Sequence, residues 1–155
     1  MRGFIHTLAA ALLGAGLGVQ LFLSFLVAPS AFRVTDRPVA VRLMEALFPG
    51  YYGFGIVTTG LACGLTLWLA LGGGRAPLRW AAVTLLGVVL AGTLYAGQIL
   101  LPQARAARLR AQVAPAGDLA PLEFSRLHRR AVAVNIALFG VGAVALALHA
   151  AARPH

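Results

Sequence analysis

Two residues near the entry to the last apolar segment, His128 and Asn135, have the types and spacing that membrane chemistry would use. On a helix they share one face with Phe124, while Glu123, Arg126 and Arg130 form a second, charged face. An imidazole there can ligate a haem iron, hydrogen-bond a quinone or pass a proton. It can equally be an interfacial side chain bonded to a tyrosine or to Glu123. The polar residues expected at its level are Gln20, Ser24, Tyr51, Tyr52, Tyr95 and Gln98. Amide and hydroxyl side chains often tie membrane helices together, at about 0.6 kcal/mol a pair. Tyrosines at a span's mouth suit an interfacial aromatic belt. The cluster is therefore either a hydrogen-bonded lock or the lining of a polar pocket.

One histidine supplies one axial ligand, and His6 and His149 belong to the opposite membrane face, so a bis-histidine haem within one chain is not expected. The chain has no nucleophile-base pair, phosphate loop, paired carboxylates or metal cluster in its sequence pattern, so an enzyme is not the expected reading. A cofactor is not expected either, with a quinone or haem as the alternative. Cys63 is the single cysteine and lies in an apolar segment, which rules out an intrachain disulfide.

These residues need elements that hold them in lipid. Sixty per cent of the 155 residues are hydrophobic, 11% are charged and mean hydropathy is +0.85, far from soluble averages. Four apolar segments are predicted at 4–27, 51–71, 80–101 and 131–151. At some 20 residues or more, each matches a hydrocarbon core about 30 Å thick. The first is longer than a signal peptide's apolar region and is read as a retained helix. The predicted fold is all-α: one four-span membrane domain over 1–155, an antiparallel four-helix bundle with amphipathic connector helices.

The connectors carry turn chemistry. Ala28-Pro29 is expected to end or kink the first helix, and Thr35 or Asp36 to cap a short interfacial helix with Pro38 in its first turn. The run Phe48-Pro49-Gly50-Tyr51-Tyr52 punctuates the entry to the second span, and Gly72 to Pro77 forms a tight turn. Residues from Arg105 to Val113 can extend the third helix as a basic arm, and Asp118 can cap the fourth. Gly14 with Gly18, and Gly60 with Gly64, are small-xxx-small pairs that let another helix approach closely.

All thirteen basic residues are arginine, and the net charge is +9. They flank apolar segments without a recognition motif, so anionic lipid headgroups are the expected partner and nucleic acid is not. Arg105, Arg108, Arg129 and Arg130 are the expected headgroup contacts. Arg2, Arg75, Arg79 and Arg153 lie on the side of the termini, and the other nine lie in connectors 28–50 and 102–130. The positive-inside rule then puts the termini outside and both long connectors in the cytoplasm of a bacterial inner membrane. Threaded this way, the polar set falls at the connector face, and the other half is mostly Leu, Val, Ala and Gly.

The motifs Phe25-x-Val27-Ala28-Pro29-x-x-Phe32, Leu47-Phe48-Pro49-x-Tyr51-Tyr52, Gln98-x-x-x-Pro102 and Phe124-x-x-Leu127-His128 followed by Asn135 complete the pattern. The chain resembles the transmembrane protein 205-like family, small four-span proteins that include a large bacterial group of unknown function. The resemblance implies a four-helix membrane bundle with Phe48, Pro49, Tyr51, Tyr52, His128 and Asn135 at family positions, and it implies no reaction. Three functions remain open: an accessory or scaffold subunit that packs on other membrane subunits or on itself, a quinone- or haem-binding redox protein, and a small-molecule transporter.

Overall fold

A computed structural model describes residues 1–72, 76–115 and 117–152. Residues 73–75 of the predicted turn at Gly72 to Pro77, together with Ala116 and Arg153, lie outside the described residues. The chain forms four long helices: α1 (Arg2–Val34), α2 (Arg37–Leu71), α3 (Pro77–Val113) and α4 (Ala120–Ala151). Each is long and apolar enough to cross a membrane. At 1.5 Å per residue they are about 48 to 56 Å long, well beyond a hydrocarbon core of about 30 Å. The connectors are therefore mostly the helices' own ends. The protein is an all-α, four-helix membrane bundle.

The prolines do not end these helices: of the end or kink expected at Ala28-Pro29 the helix does not end, and Phe48 to Tyr52 lies inside α2. Pro29 and Pro102 each follow a π-helical turn, Phe22–Val27 and Ala96–Leu100. In these turns the Ala28 N–H bonds the Leu23 carbonyl and the Leu101 N–H bonds the Ala96 carbonyl. The widened register falls where the missing proline N–H would otherwise leave a carbonyl four residues back without its donor. Pro49 is handled differently. It sits inside α2 and removes the donor for the Glu45 carbonyl, and the Arg105 guanidinium of α3 donates to that carbonyl instead.

The break between α1 and α2 is only Thr35-Asp36. The Thr35 hydroxyl donates back to the Ala31 carbonyl at 2.8 Å, closing α1. Asp36 occupies the N-cap position of α2, where its main-chain carbonyl accepts from Val39 and Ala40, and Pro38 lies in the first turn. The Asp118 carboxylate accepts from the Ala120 N–H at 2.7 Å, as expected of a residue opening α4. Gly117 has φ of 91°, a conformation that glycine adopts without strain.

Each helix packs on its sequence neighbours, and α1 closes the ring against α4. The central cluster takes one residue from each helix: Leu13, Ala62, Leu86 and Ala145. Alanine dominates the buried positions because lipid offers no hydrophobic drive between helices, and close backbone approach with dispersion must hold them. Thr58, Thr66, Thr84 and Thr93 each donate to the carbonyl one turn back, which satisfies their hydroxyls within the helix. Helix α1 is the least covered. Only 6% of its apolar window is buried, against 33% for α2.

Candidate functional site

Asn135 is the centre of the connector-side cluster. Its carbonyl oxygen Oδ1 accepts from the Tyr51 hydroxyl at 3.2 Å, and its Nδ2 donates to the Tyr52 hydroxyl at 3.0 Å. The same Nδ2 reaches the Ala131 carbonyl at 2.9 Å, and the Asn135 main-chain carbonyl accepts from Gln20 Nε2 at 2.7 Å. One residue of α4 thus ties α1 and α2 together. Both hydrogens of its amide are used, as is its carbonyl oxygen. Tyr51 and Tyr52 meet edge to face with ring centroids 4.8 Å apart, and Phe48 packs beside both.

Next to this knot lies a cavity of about 40 Å³ bounded by Gln20, Tyr51, Asn135, Thr59 and Thr93 among apolar side chains. By the usual threshold of about 10–15 Å³ per water, it has room for a few waters.

The structure does not bring the other expected members into this knot. His128 is exposed, its ring 6.0 Å from that of Phe124 one turn earlier. Ser24 and Gln98 are exposed, each within one of the π-helical turns. Tyr95 lies under the Arg130 guanidinium, 5.5 Å from the ring centroid, a cation–π contact. Arg129 is exposed. Arg108 ion-pairs with Glu45 at 2.6 Å, and Arg110 pairs with both oxygens of Glu123 at 3.1 Å.

Of the predicted packing glycines, a Cβ at Gly14, Gly18 or Gly64 would meet nothing within 4 Å, and Gly60 faces Leu90 at 3.9 Å. The close approaches inside the bundle use other glycines. A Cβ at Gly16 would come within 3.0 Å of Thr58 Oγ1, at Gly142 within 3.0 Å of Leu17, and at Gly97 within 2.9 Å of Tyr52 Cβ.

The half described above as mostly Leu, Val, Ala and Gly holds a second knot, and this corrects the expectation of a one-sided polar set. His6 and His149 stack with ring centroids 4.1 Å apart and 21° between planes, at 2% and 1% exposure. His6 Nε2 donates to the His149 carbonyl at 2.7 Å, and His149 Nε2 donates to the His6 carbonyl at 3.1 Å. A carbonyl can only accept, so both Nε2 atoms carry hydrogen. His149 Nδ1 faces the Thr66 hydroxyl at 3.2 Å, whereas His6 Nδ1 is buried without a hydrogen bond.

Beside this pair, Arg79 of α3 is 5% exposed and donates to the carbonyls of Leu69 and Ala152, at the C-terminal ends of α2 and α4. Two helix C-termini present partial negative charge to the buried guanidinium. The signal for this knot is in the spacing. His6 stands early in α1 and His149 late in α4, so antiparallel packing puts them at one depth. Arg79 gave no such signal, because an arginine near a span end ordinarily reaches for headgroups.

Comparison with known proteins adds a family without an activity. Residues 11–112 match the family described as Domain of unknown function (DUF4149). A protein of Aquifex aeolicus (strain VF5) described as "Uncharacterized protein" is 46% identical over 55 residues, 36% of this chain and 42% of that protein. The alignment thus spans less than half the length of that relative. No solved structure matches. The family match includes Gln20, Tyr51, Tyr52, Gln98 and Arg105, while His6, His128, Asn135 and His149 fall outside it.

Proposed function

We propose, from the premise that this chain belongs to the DUF4149 family, that it is an accessory or scaffold subunit that packs against a larger membrane protein. The observation that carries this reading is the outward small-residue stripe of α1. Gly14 and Gly18 are exposed, lie one turn apart and leave open space where a side chain would stand. Inside the bundle that space is not used, so a helix of another subunit is what it fits. The two polar knots support the same reading, because these hydrogen bonds run within the chain and act as locks. A redox site at His128 has less support, since His128 is exposed and the cavity beside Asn135, about 40 Å³, is far smaller than the roughly 300–1,000 Å³ of small-molecule sites.

We assign the family to the transmembrane protein 205-like group on the motifs around Pro29, Pro49 and Pro102, all of which lie inside the matched residues. The arginine-rich ends of α2 to α4 favour a cytoplasmic side in a bacterial inner membrane, with the His6–His149 end outside. The test is native pull-down from membranes in mild detergent, with Gly14→Leu and Gly18→Leu as variants. Recovery of a stoichiometric membrane partner that both variants lose, with the bundle still folded, is expected. A monomer with no partner overturns the assignment.

A further inference from the structure

A second concavity opens on the outer surface where α2 and α3 cross, near the connector end. It is an open groove of about 440 Å³, lined by Pro49, Tyr52, Gly53 and Gln98, with Pro102 and Arg105 toward its basic end. Its shape follows from the residues. Pro49 and Pro102 present no large side chain, and Gly53 is exposed with nothing within 4 Å of a Cβ. The π-helical turn Ala96–Leu100 widens α3 and turns the Gln98 amide outward at the same level.

The charge at the groove is unbalanced. Arg105 donates one nitrogen to the Glu45 main-chain carbonyl, a neutral acceptor, and its buried Nε has no hydrogen-bond partner. The Glu45 carboxylate is held by Arg108 at 2.6 Å, Glu123 by Arg110, and Asp118 caps α4. Among the described residues, no carboxylate pairs with Arg105. One guanidinium charge therefore stands at a groove lined otherwise by prolines, glycines, Leu101, Tyr52 and the Gln98 amide.

We infer that this groove is a binding site for one anionic phospholipid. The phosphate sits at the free edge of the Arg105 guanidinium, the Gln98 amide donates to the ester carbonyl region, and an acyl chain runs along the Gly53 side. The chemistry favours an anion over a neutral ligand, because only an anion balances Arg105. A volume of 440 Å³ lies within the range of small-molecule sites, about 300–1,000 Å³. This site stands on the opposite helix pair from the α1 stripe and does not depend on the scaffold reading.

The experiment is native mass spectrometry of the full chain in mild detergent, incubated with an equimolar mixture of phosphatidylglycerol and phosphatidylcholine. The wild-type chain retains one phosphatidylglycerol in preference to phosphatidylcholine. Arg105→Gln, which keeps a donor for the Glu45 carbonyl, lowers that retention about tenfold. Gly53→Leu keeps Arg105 and fills the groove, and it lowers retention as well. Arg33→Gln, exposed on α1 and outside the groove, leaves it unchanged, and circular dichroism confirms that all three variants are helical. Equal retention of the two lipids overturns the proposal. So does an equal loss in Arg105→Gln and Arg33→Gln, or retention of a quinone that Gly53→Leu abolishes.

Discussion

His6 and His149 each donate through Nε2 to the other's main-chain carbonyl, so the first turns of α1 are fastened to the last turn of α4 by two reciprocal bonds and a ring stack. Replacing either ring removes one donor and one buried ring, while both carbonyls keep a main-chain donor: the Ala152 N–H reaches the His149 carbonyl at 3.2 Å, and the His6 carbonyl lies inside α1. His149→Ala is expected to destabilise the bundle by about 2 kcal/mol, from a lost hydrogen bond and the lost packing of a buried side chain. His6→Ala combined with His149→Ala should cost clearly less than the sum of the two single losses. Denaturant unfolding in detergent measures all three, and strict additivity would mean that the rings do not act as a pair.

Asn135 makes bonds to Tyr51, Tyr52 and Gln20, three contacts to other helices. The bond from Gln20 goes to its backbone, so a side-chain change spares it. Asn135→Leu therefore loses two interhelical bonds, about 1.2 kcal/mol at the average for membrane helices. Gln20→Leu and Tyr51→Phe lose one each and should cost about half as much. His128→Ala touches none of them and should leave thermal stability unchanged. A large loss from His128→Ala would place that residue back in the knot.

Pro49 and Arg105 are linked through the Glu45 carbonyl, which one deprives of its helical donor and the other supplies. Arg105→Ala in the native background should cost about 1 to 3 kcal/mol, the penalty of an unsatisfied buried carbonyl. Combined with Pro49→Ala, which returns the N–H, the same substitution should cost little. Unfolding midpoints of the four proteins in this cycle decide it, and equal costs of Arg105→Ala in both backgrounds would break the link.

Glycines of the two kinds should separate cleanly. Gly97→Ala drives a methyl against Tyr52 Cβ and Cγ, where the added carbon would stand 2.9 and 3.1 Å away. It should destabilise by about 1 to 3 kcal/mol, as overpacking does. Gly14→Ala and Gly18→Ala meet open space and should leave the isolated bundle unchanged or slightly firmer, since alanine is the better helix former. Thermal unfolding of the purified chain checks both. A fall in stability for Gly14→Ala would mean that its face is covered within the bundle.

Four helices, their antiparallel order and the meeting of Gln20, Tyr51, Tyr52 and Asn135 at one level were legible in the chain. Apolar length sets the spans, and alternate threading sets depth along the membrane normal. Depth is a single coordinate, so it grouped His128, Ser24 and Gln98 with the knot although they point elsewhere. Which side of a helix faces inward depends on rotation about its axis. The π-helical turns at Phe22–Val27 and Ala96–Leu100 shift that rotation by the extra residue that each turn takes in.

The amino-acid sequence by itself determined four segments long and apolar enough to cross a membrane, with nine of the thirteen arginines in two long connectors, because these follow from hydropathy and charge counted along the chain. Only the tertiary structure decided which polar groups meet. The reciprocal histidines, Arg79 across two helix ends and Arg105 on the carbonyl that Pro49 leaves open are contacts between helices far apart in sequence. Their geometry depends on helix rotation and on backbone carbonyls, which no residue type announces.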